Sequence, residues 1–357
     1  MRRLLLAFLI VPFFNACTPI EEVPQMLTDP SWEWQYQDST AFFIGIHAVS
    51  ESTVWAAGAN GRVVRTADAG ATWSTMFVLG ADSIQFRDVH AFDDMNAFVL
   101  SIGNGTDSRI YKTSDGGESW ELSFQNEDEN AFFDCFSFWT PESGFAFSDS
   151  FEGEFTLIKT EDGGVTWPRI DPTLVPDARD GEGAFAASGT CVQTWEGGIG
   201  WFATGASAID TRVIRTADYG ASWSESITPI ASLTGSEGIS TMSILDANNV
   251  AVMGGDFTQR DSIYANVALS SDGGETWTRA SSAPIGGSVY GSTYVPGAAT
   301  PTLIGVAPTG TAYTADNATS WTRIDDTNFW TISAVSTQGI WAAGPGGVAR
   351  LINGTNE

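Results

Sequence analysis

From residue 43 to residue 352, apolar runs of about four to eight residues alternate with polar breaks rich in Gly, Asp and Ser, the pattern of short strands joined by tight turns rather than of amphipathic helices. One unit shows the plan: strands at 86–92, 97–102 and 109–113, then a polar turn, then a fourth at 120–124. The order recurs, which places innermost strands at 43–49, 86–92, 132–138, 185–195, 238–245, 287–295 and 329–336. Seven such units predict an all-β chain, a seven-bladed β-propeller filling 31–357 as one domain. After the seventh inner strand only 339–343 and 347–352 remain, and the missing outer strand is available at the other end. There Ser31, Trp32, Glu33, Trp34, Gln35 and Tyr36 resemble the strand that follows the polar turn elsewhere. Val54-Trp55-Ala56-Ala57-Gly58 also recurs as Ile340-Trp341-Ala342-Ala343-Gly344. Residues 31–36 are therefore expected to pair with the C-terminal blade, closing the ring and leaving no raw sheet edge.

The polar turn recurs six times with its positions in step. The copies are Thr66, Asp68, Gly70, Thr72, Trp73; Thr113, Asp115, Gly117, Ser119, Trp120; Thr160, Asp162, Gly164, Thr166, Trp167; Thr216, Asp218, Gly220, Ser222, Trp223; Ser270, Asp272, Gly274, Thr276, Trp277; and Thr314, Asp316, Ala318, Ser320, Trp321. Successive tryptophans stand 47, 47, 56, 54 and 44 residues apart, the length of a four-stranded blade. Each position has a mechanical reason. The carboxylate and hydroxyls accept bonds from backbone N–H groups of a tight turn, and Gly permits a positive φ. The indole then covers the hairpin and wedges against its neighbour, contributing about 2–3 kcal/mol by burial. Ala318 in the sixth copy is expected to strain its turn.

These copies resemble the Asp-box, or bacterial neuraminidase repeat, of sialidases, sortilin-type receptors, xyloglucanases and the propellers similar to photosystem II assembly factors. The resemblance implies that Asp68, Asp115, Asp162, Asp218, Asp272 and Asp316 are structural residues at the rim, away from the central mouth. The irregular middle, from about Phe138 to Asp256, most resembles the bacterial assembly-factor-like propellers often loosely labelled oxidoreductases, and no catalytic set comes with that likeness. A sialidase would need an Arg-Ile-Pro segment to start its carboxylate clamp, and none exists; Arg65, Arg215 and Arg279 stand beside the rim turns.

The N-terminus runs Met1, Arg2, Arg3, then an apolar stretch over 4–14, then Asn15, Ala16 and Cys17. It reads as an export signal over 1–16, too short to span a bilayer, with Cys17 as the acylated cysteine of a lipoprotein and 17–30 as a flexible tether. The expected place is the bacterial cell envelope, lipid-anchored, with plain secretion the alternative and a lipid anchor as the sole membrane contact. The chain carries 43 acidic and 16 basic residues, net −27; without 1–16 it is −29. Nucleic acid would be repelled, and the acidity serves solubility. Beyond Cys17 only Cys135 and Cys191 remain, which permits one disulfide; two buried thiols explain them equally well.

Function in a ring sits where inner strands and loops converge. His47 and His90, the only histidines, occupy the same place in the first two inner strands. Facing imidazoles suit a metal or a proton. The plainer reading is two polar fillers, since Phe136, Ser243 and Ser333 take that slot elsewhere, and no metal or cofactor is expected. The least repeat-like stretch, 176–190, carries Asp177, Arg179, Asp180 and Glu182 and reads as a binding loop. Two acids across a cleft would suffice for a glycosidase, and Glu182 with Asp149 or Asp256 are the candidates. Gly344-Pro345-Gly346-Gly347 lacks a following helix to hold a pyrophosphate, which argues against a dinucleotide enzyme. Serine hydrolase signatures and zinc-type Cys/His spacings are absent. The leading expectation is a monomeric, non-catalytic propeller binding a protein or glycan, as an assembly or stability factor; the alternative is a polysaccharide-active hydrolase.

Overall fold

Burial falls steeply from the inside of each sheet to its rim, and this gradient selects the residue types. Second strands such as Val54–Gly58, Val250–Asp256 and Leu303–Ala307 are buried along their whole length. They have neighbouring sheets on both faces and so read as continuous apolar runs. Outer strands such as Ser74–Phe77 and Thr278–Arg279 are almost wholly exposed. The computed structural model describes residues 25–206 and 209–354. Within them the chain is a β-propeller whose helical elements are three short 3-10 turns, Gly105–Asp107, Pro172–Leu174 and Glu196–Gly198. The export signal and Cys17 lie outside the described residues. Of the expected tether, 25–30 packs on the ring: Leu27 is buried, Gln25 bridges Ala298, and Thr28 N donates to Asn353 Oδ1 at 2.6 Å.

The strands form six sheets, not the seven expected. One has six strands, in the order Thr331–Ala334, Ile340–Ile352, Ser31–Ala48, Val54–Gly58, Arg62–Thr66, Ser74–Phe77. The reason is continuity. Ser31–Ala48 pairs along its first part with Ile340–Ile352, Trp32 opposite Leu351 and Trp34 opposite Ala349, and along its last part with Val54–Gly58, His47 opposite Trp55. Strands expected in the first and last repeats are thus bonded into one sheet. The sheet of Phe133–Phe138, Gly144–Phe151 and Glu154–Thr160 has three strands where four were expected. Pro168 follows Trp167 and has no N–H for a ladder, so the outer segment makes only a bridge from Arg169 to Ile158, flanked by Lys159 N to Pro168 O and Ile170 N to Leu157 O. The fourth inner strand is also shorter than the expected 185–195, spanning Val192–Trp195. Cys135 and Cys191 form a disulfide, their Cα atoms 5.9 Å apart, which ties the third inner strand to the residue preceding the fourth.

The six recurring turns share one bonding scheme. In each, the Asp Oδ1 accepts the backbone N–H four residues on at 2.8–2.9 Å, Oδ2 accepts that residue's hydroxyl, and the hydroxyl two residues before the Asp accepts the N–H at the Gly position. Two of the indoles reach to neighbouring sheets, Trp167 Nε1 donating to Ser123 Oγ and Trp277 Nε1 to Ser226 Oγ, both at 2.9 Å, while Trp73 packs edge-on against Trp341 within the six-stranded sheet. The Gly position has φ +81° in both Gly164 and Gly220, and Ala318 holds +55° in the sixth copy. A Cβ at Gly220 would meet nothing closer than 3.4 Å, but at Gly164 it would stand 2.5 Å from the Phe98 ring. Gly220→Ala is therefore expected to cost about 1–2 kcal/mol from left-handed strain. Gly164→Ala should cost more, because buried Phe98 must move too; equal shifts in urea midpoint would contradict this.

These carboxyls are held low by the bonds they accept, first from the hydroxyl four residues on and then from its backbone N–H. Asp115, Asp162, Asp272 and Asp316 are lowered to about 2, and Asp68 and Asp218 shift the same way. A folded-state pKa below the unfolded 3.8 gives stability that is complete above the unfolded value and lost as pH falls to about 2. Buried acids with raised values act in the opposite sense and at higher pH, while Asp38, Asp93, Asp171, Asp246 and Asp256, also lowered, add to the same fall. Unfolding midpoints measured from pH 4 to pH 2 should fall steadily, and Asp115→Asn with Asp272→Asn should flatten that slope.

Candidate functional site

Two cavities occupy the interior, one at the end where the inner strands begin and one where they finish. The segment 183–191, after Glu182, forms the wall between them. Its sequence, Gly-Ala-Phe-Ala-Ala-Ser-Gly-Thr-Cys, is small enough to cross a narrow interior. It is tied on several sides: Arg87 Nη1 donates to Ala186 O at 2.6 Å, Thr331 Oγ1 to Ser188 O at 3.2 Å, and Met242 N to Thr190 O at 2.9 Å. A Cβ on Gly189 would stand 2.4 Å from Asp88 Oδ1, so only glycine fits against that carboxyl. The expected binding loop is, over this half, a partition.

The cavity where the inner strands finish measures about 580 Å³ and holds His47 and His90, ring centroids 4.6 Å apart, with Ser137, Thr194, Ser243 and Ser333 around it. His47 Nδ1 accepts the N–H of Ala91 at 2.9 Å. Burial lowers His47 to about 4 and holds His90 well below its usual range, the neighbouring His47 adding to the effect, so both rings are neutral at pH 7. Among the described residues no group of three or more His, Cys, Asp or Glu is placed to hold a metal.

The cavity where the inner strands begin measures about 360 Å³ and opens at the mouth opposite the six turns, because the third strands that lead into those turns run parallel to the first. Buried and half-buried rings form an arc along its wall. Phe185 lies 4.5 Å from Phe257, Phe257 5.0 Å from Tyr290, and Tyr290 4.9 Å from Trp330, which meets Phe42 at 4.6 Å. Asp134 on Phe133–Phe138 and Asp149 near the end of Gly144–Phe151 also line this cavity, close enough for their carboxyls to interact. Burial raises both carboxyls; the charge of Asp149 raises Asp134 further, while Arg87 opposes the shift. Arg87 lies over the Trp330 ring at 5.5 Å.

The candidate acids are thus in different settings. Glu182 is buried, with Oε1 accepting from Arg212 Nε at 2.8 Å and Thr204 Oγ1 at 2.6 Å, and Oε2 from Arg179 N at 2.9 Å. It holds the foot of the partition and lines neither cavity. Asp256 accepts from Thr258 N and Oγ1 and from Ser236 Oγ; burial raises it, but these bonds prevail and it stays lowered. Asp149 faces the mouth and accepts the N–H of Ala184 at 2.8 Å. Asp177 and Asp180 are exposed, and Arg179 pairs with Asp210 at 2.8 Å. Sequence reasoning missed Arg87, Asp134, Phe257, Tyr290 and Trp330. A signal existed for Asp134: it stands two residues before Phe136 as Asp88 does before His90, carboxylates at one position of apolar inner strands.

The fold and these cavities define a β-propeller with a partitioned channel and an aromatic-lined mouth. No protein-family model matches the chain, and no curated protein matches it in sequence. Its fold is similar to that of YCF48 bound to D1 peptide, at a TM-score of 0.63 and 16% identity over 94% of this chain and 100% of the other. YCF48 from Cyanidioschyzon merolae gives 0.64 and 15% over 90% and 99%. The WD40 β-propeller domain of Doa1 gives 0.58 and 11% over 92% and 98%. At these identities the likeness is one of fold.

Proposed function

We propose that this chain is a non-catalytic binding propeller that takes a segment of a protein partner at its mouth. The observation that carries the reading is the arc of rings from Phe185 to Trp330 around a 360 Å³ cavity, a surface suited to an extended partner. YCF48, which shares the fold, is a propeller with a peptide bound. A hydrolase has less support: Glu182 and Asp256 are spent on the protein's own groups, and Asp134 and Asp149 lie close enough to interact directly. Glycosidases hold their two carboxyls about 5 Å or more apart.

The finer reading of the fold is a seven-bladed ring of Asp-box type. Two features support it: the register of Ser31–Ala48 against Ile340–Ile352 shifts between Gln37 and Phe42, and six turns of identical bonding recur. Export and acylation at Cys17 complete the proposal. Metabolic labelling with a fatty-acid analogue should mark the wild type and not Cys17→Ala.

Selection from a displayed peptide library against the protein tests the main reading. Enriched peptides should lose binding to Trp330→Ala and Tyr290→Ala, both well outside the six turns. Peptides that bind both variants as well as wild type would place the site elsewhere and overturn it.

A further inference from the structure

Asp134 brings an unused acceptor to the mouth. The residue is 1% exposed, lines the cavity, and its Oδ2 has no hydrogen-bond partner. A buried, unsatisfied carboxyl oxygen is costly and calls for a donor. The nearby cation cannot supply all that the acids need. Arg87 gives Nη1 to Ala186 O and Nη2 to Gln85 Oε1 and lies over the Trp330 ring, and although its buried Nε has no partner, it brings one positive charge to two acids. With Asp134 and Asp149 both ionised, the three groups carry one negative charge in excess, and burial favours keeping one proton on the pair. A ligand bringing one positive charge and several N–H donors can replace that proton and meet Oδ2. The facing rings of Phe257, Tyr290 and Trp330 suit an alkyl stem below the charge and attract a cation at their faces.

We propose, resting on the mouth as the binding site, that this cavity takes a primary ammonium on an alkyl stem, presented by a lysine side chain or by the N-terminal amine of the partner segment. The net charge of −27 favours the approach of such a partner. The other titratable groups at the mouth are Arg87, Tyr290 and Arg260, which is bonded to the Tyr290 hydroxyl; burial raises Tyr290, so at neutral pH neither it nor the guanidinium groups change charge.

The test titrates the protein, by calorimetry and tryptophan fluorescence, with pentylammonium and with pentan-1-ol. Two further arms, an Nα-acetyl-lysine amide and a Leu-Leu amide with a free N-terminus, separate the two sources of the amine. Pentylammonium and one arm should bind at least about tenfold tighter than pentanol, with release of about one proton seen as a buffer-dependent heat. Asp134→Asn and Asp149→Asn should each lower that affinity at least about tenfold at an unchanged unfolding midpoint, as expected for loss of a charge-assisted bond. Equal binding of amine and alcohol, or binding unchanged in a folded Asn variant, overturns the ammonium assignment. If selected peptides or a glycan still lose binding in Trp330→Ala under that result, the mouth stands as a site and only its chemistry falls. If Asp134→Asn fails to fold, Asp149→Asn decides.

Discussion

Glu182→Ala is expected to destabilise the protein by about 3–5 kcal/mol, because it leaves the Arg212 guanidinium buried beside an empty space. Arg212 and Glu182 are both nearly inaccessible, and their contact is two-pronged, Nε and Nη2 of the arginine meeting the two carboxylate oxygens. Arg212 also reaches Asp177 O at 3.0 Å and the Glu225 carboxylate, so one side chain joins the foot of the partition to the strand Thr211–Thr216. Removing the charge from both partners should restore much of the loss, since a buried pair replaced by uncharged groups is often neutral. Urea unfolding of Glu182→Ala, Arg212→Met and the pair Glu182→Gln/Arg212→Met measures this. A single-variant cost below about 1 kcal/mol would mean that water reaches the pair. Glycan turnover lost in Glu182→Gln would be uninformative unless the variant were shown to be folded.

Loss of the Cys135–Cys191 disulfide is expected to cost about 4 kcal/mol in the chain-entropy account, given a sequence separation of 56. The measurement compares urea midpoints of the wild type and Cys135→Ala/Cys191→Ala. A second effect is local. Cys191 ends the partition, so amide exchange over 183–190 should quicken more in the double variant than exchange in Val250–Asp256, which lies far from the bridge in sequence and is wholly buried. Uniform quickening would show that the bridge acts on the fold as a whole and not on the partition. If the double variant instead keeps the wild-type midpoint, the hydrophobic contacts of Phe147, Phe155 and Phe202 around the bridge are sufficient by themselves.

The six turns were legible in the sequence because each is a local device. Thr, Asp, Gly and Ser/Thr lie within seven residues, and their bonds connect only to that segment. The strands were legible for the same reason, as apolar runs between breaks. Pro168 carried a readable warning that its outer strand would not form a ladder. The mouth was not legible. Arg87, Asp134, Tyr290 and Trp330 come from separate repeats, and nothing in their spacing says that they meet; of the acids there, only Asp149 was a candidate from the sequence. Glu182 looked like a free acid in a variable loop, and its partner Arg212 stands 30 residues away on a strand whose neighbours gave no hint of a buried charge.

The sequence alone determined an all-β ring of repeated units, its rim turns and its acidity, since periodicity and short-range hydrogen bonding are properties of neighbouring residues. Tertiary structure decided the rest: that Ser31–Ala48 bonds two repeats into one sheet, that 183–191 divides the channel, that Cys135 meets Cys191, and which acids face the mouth. Those outcomes depend on how sheets pack around a common axis, and that packing brings together side chains whose separation along the chain carries no local signal.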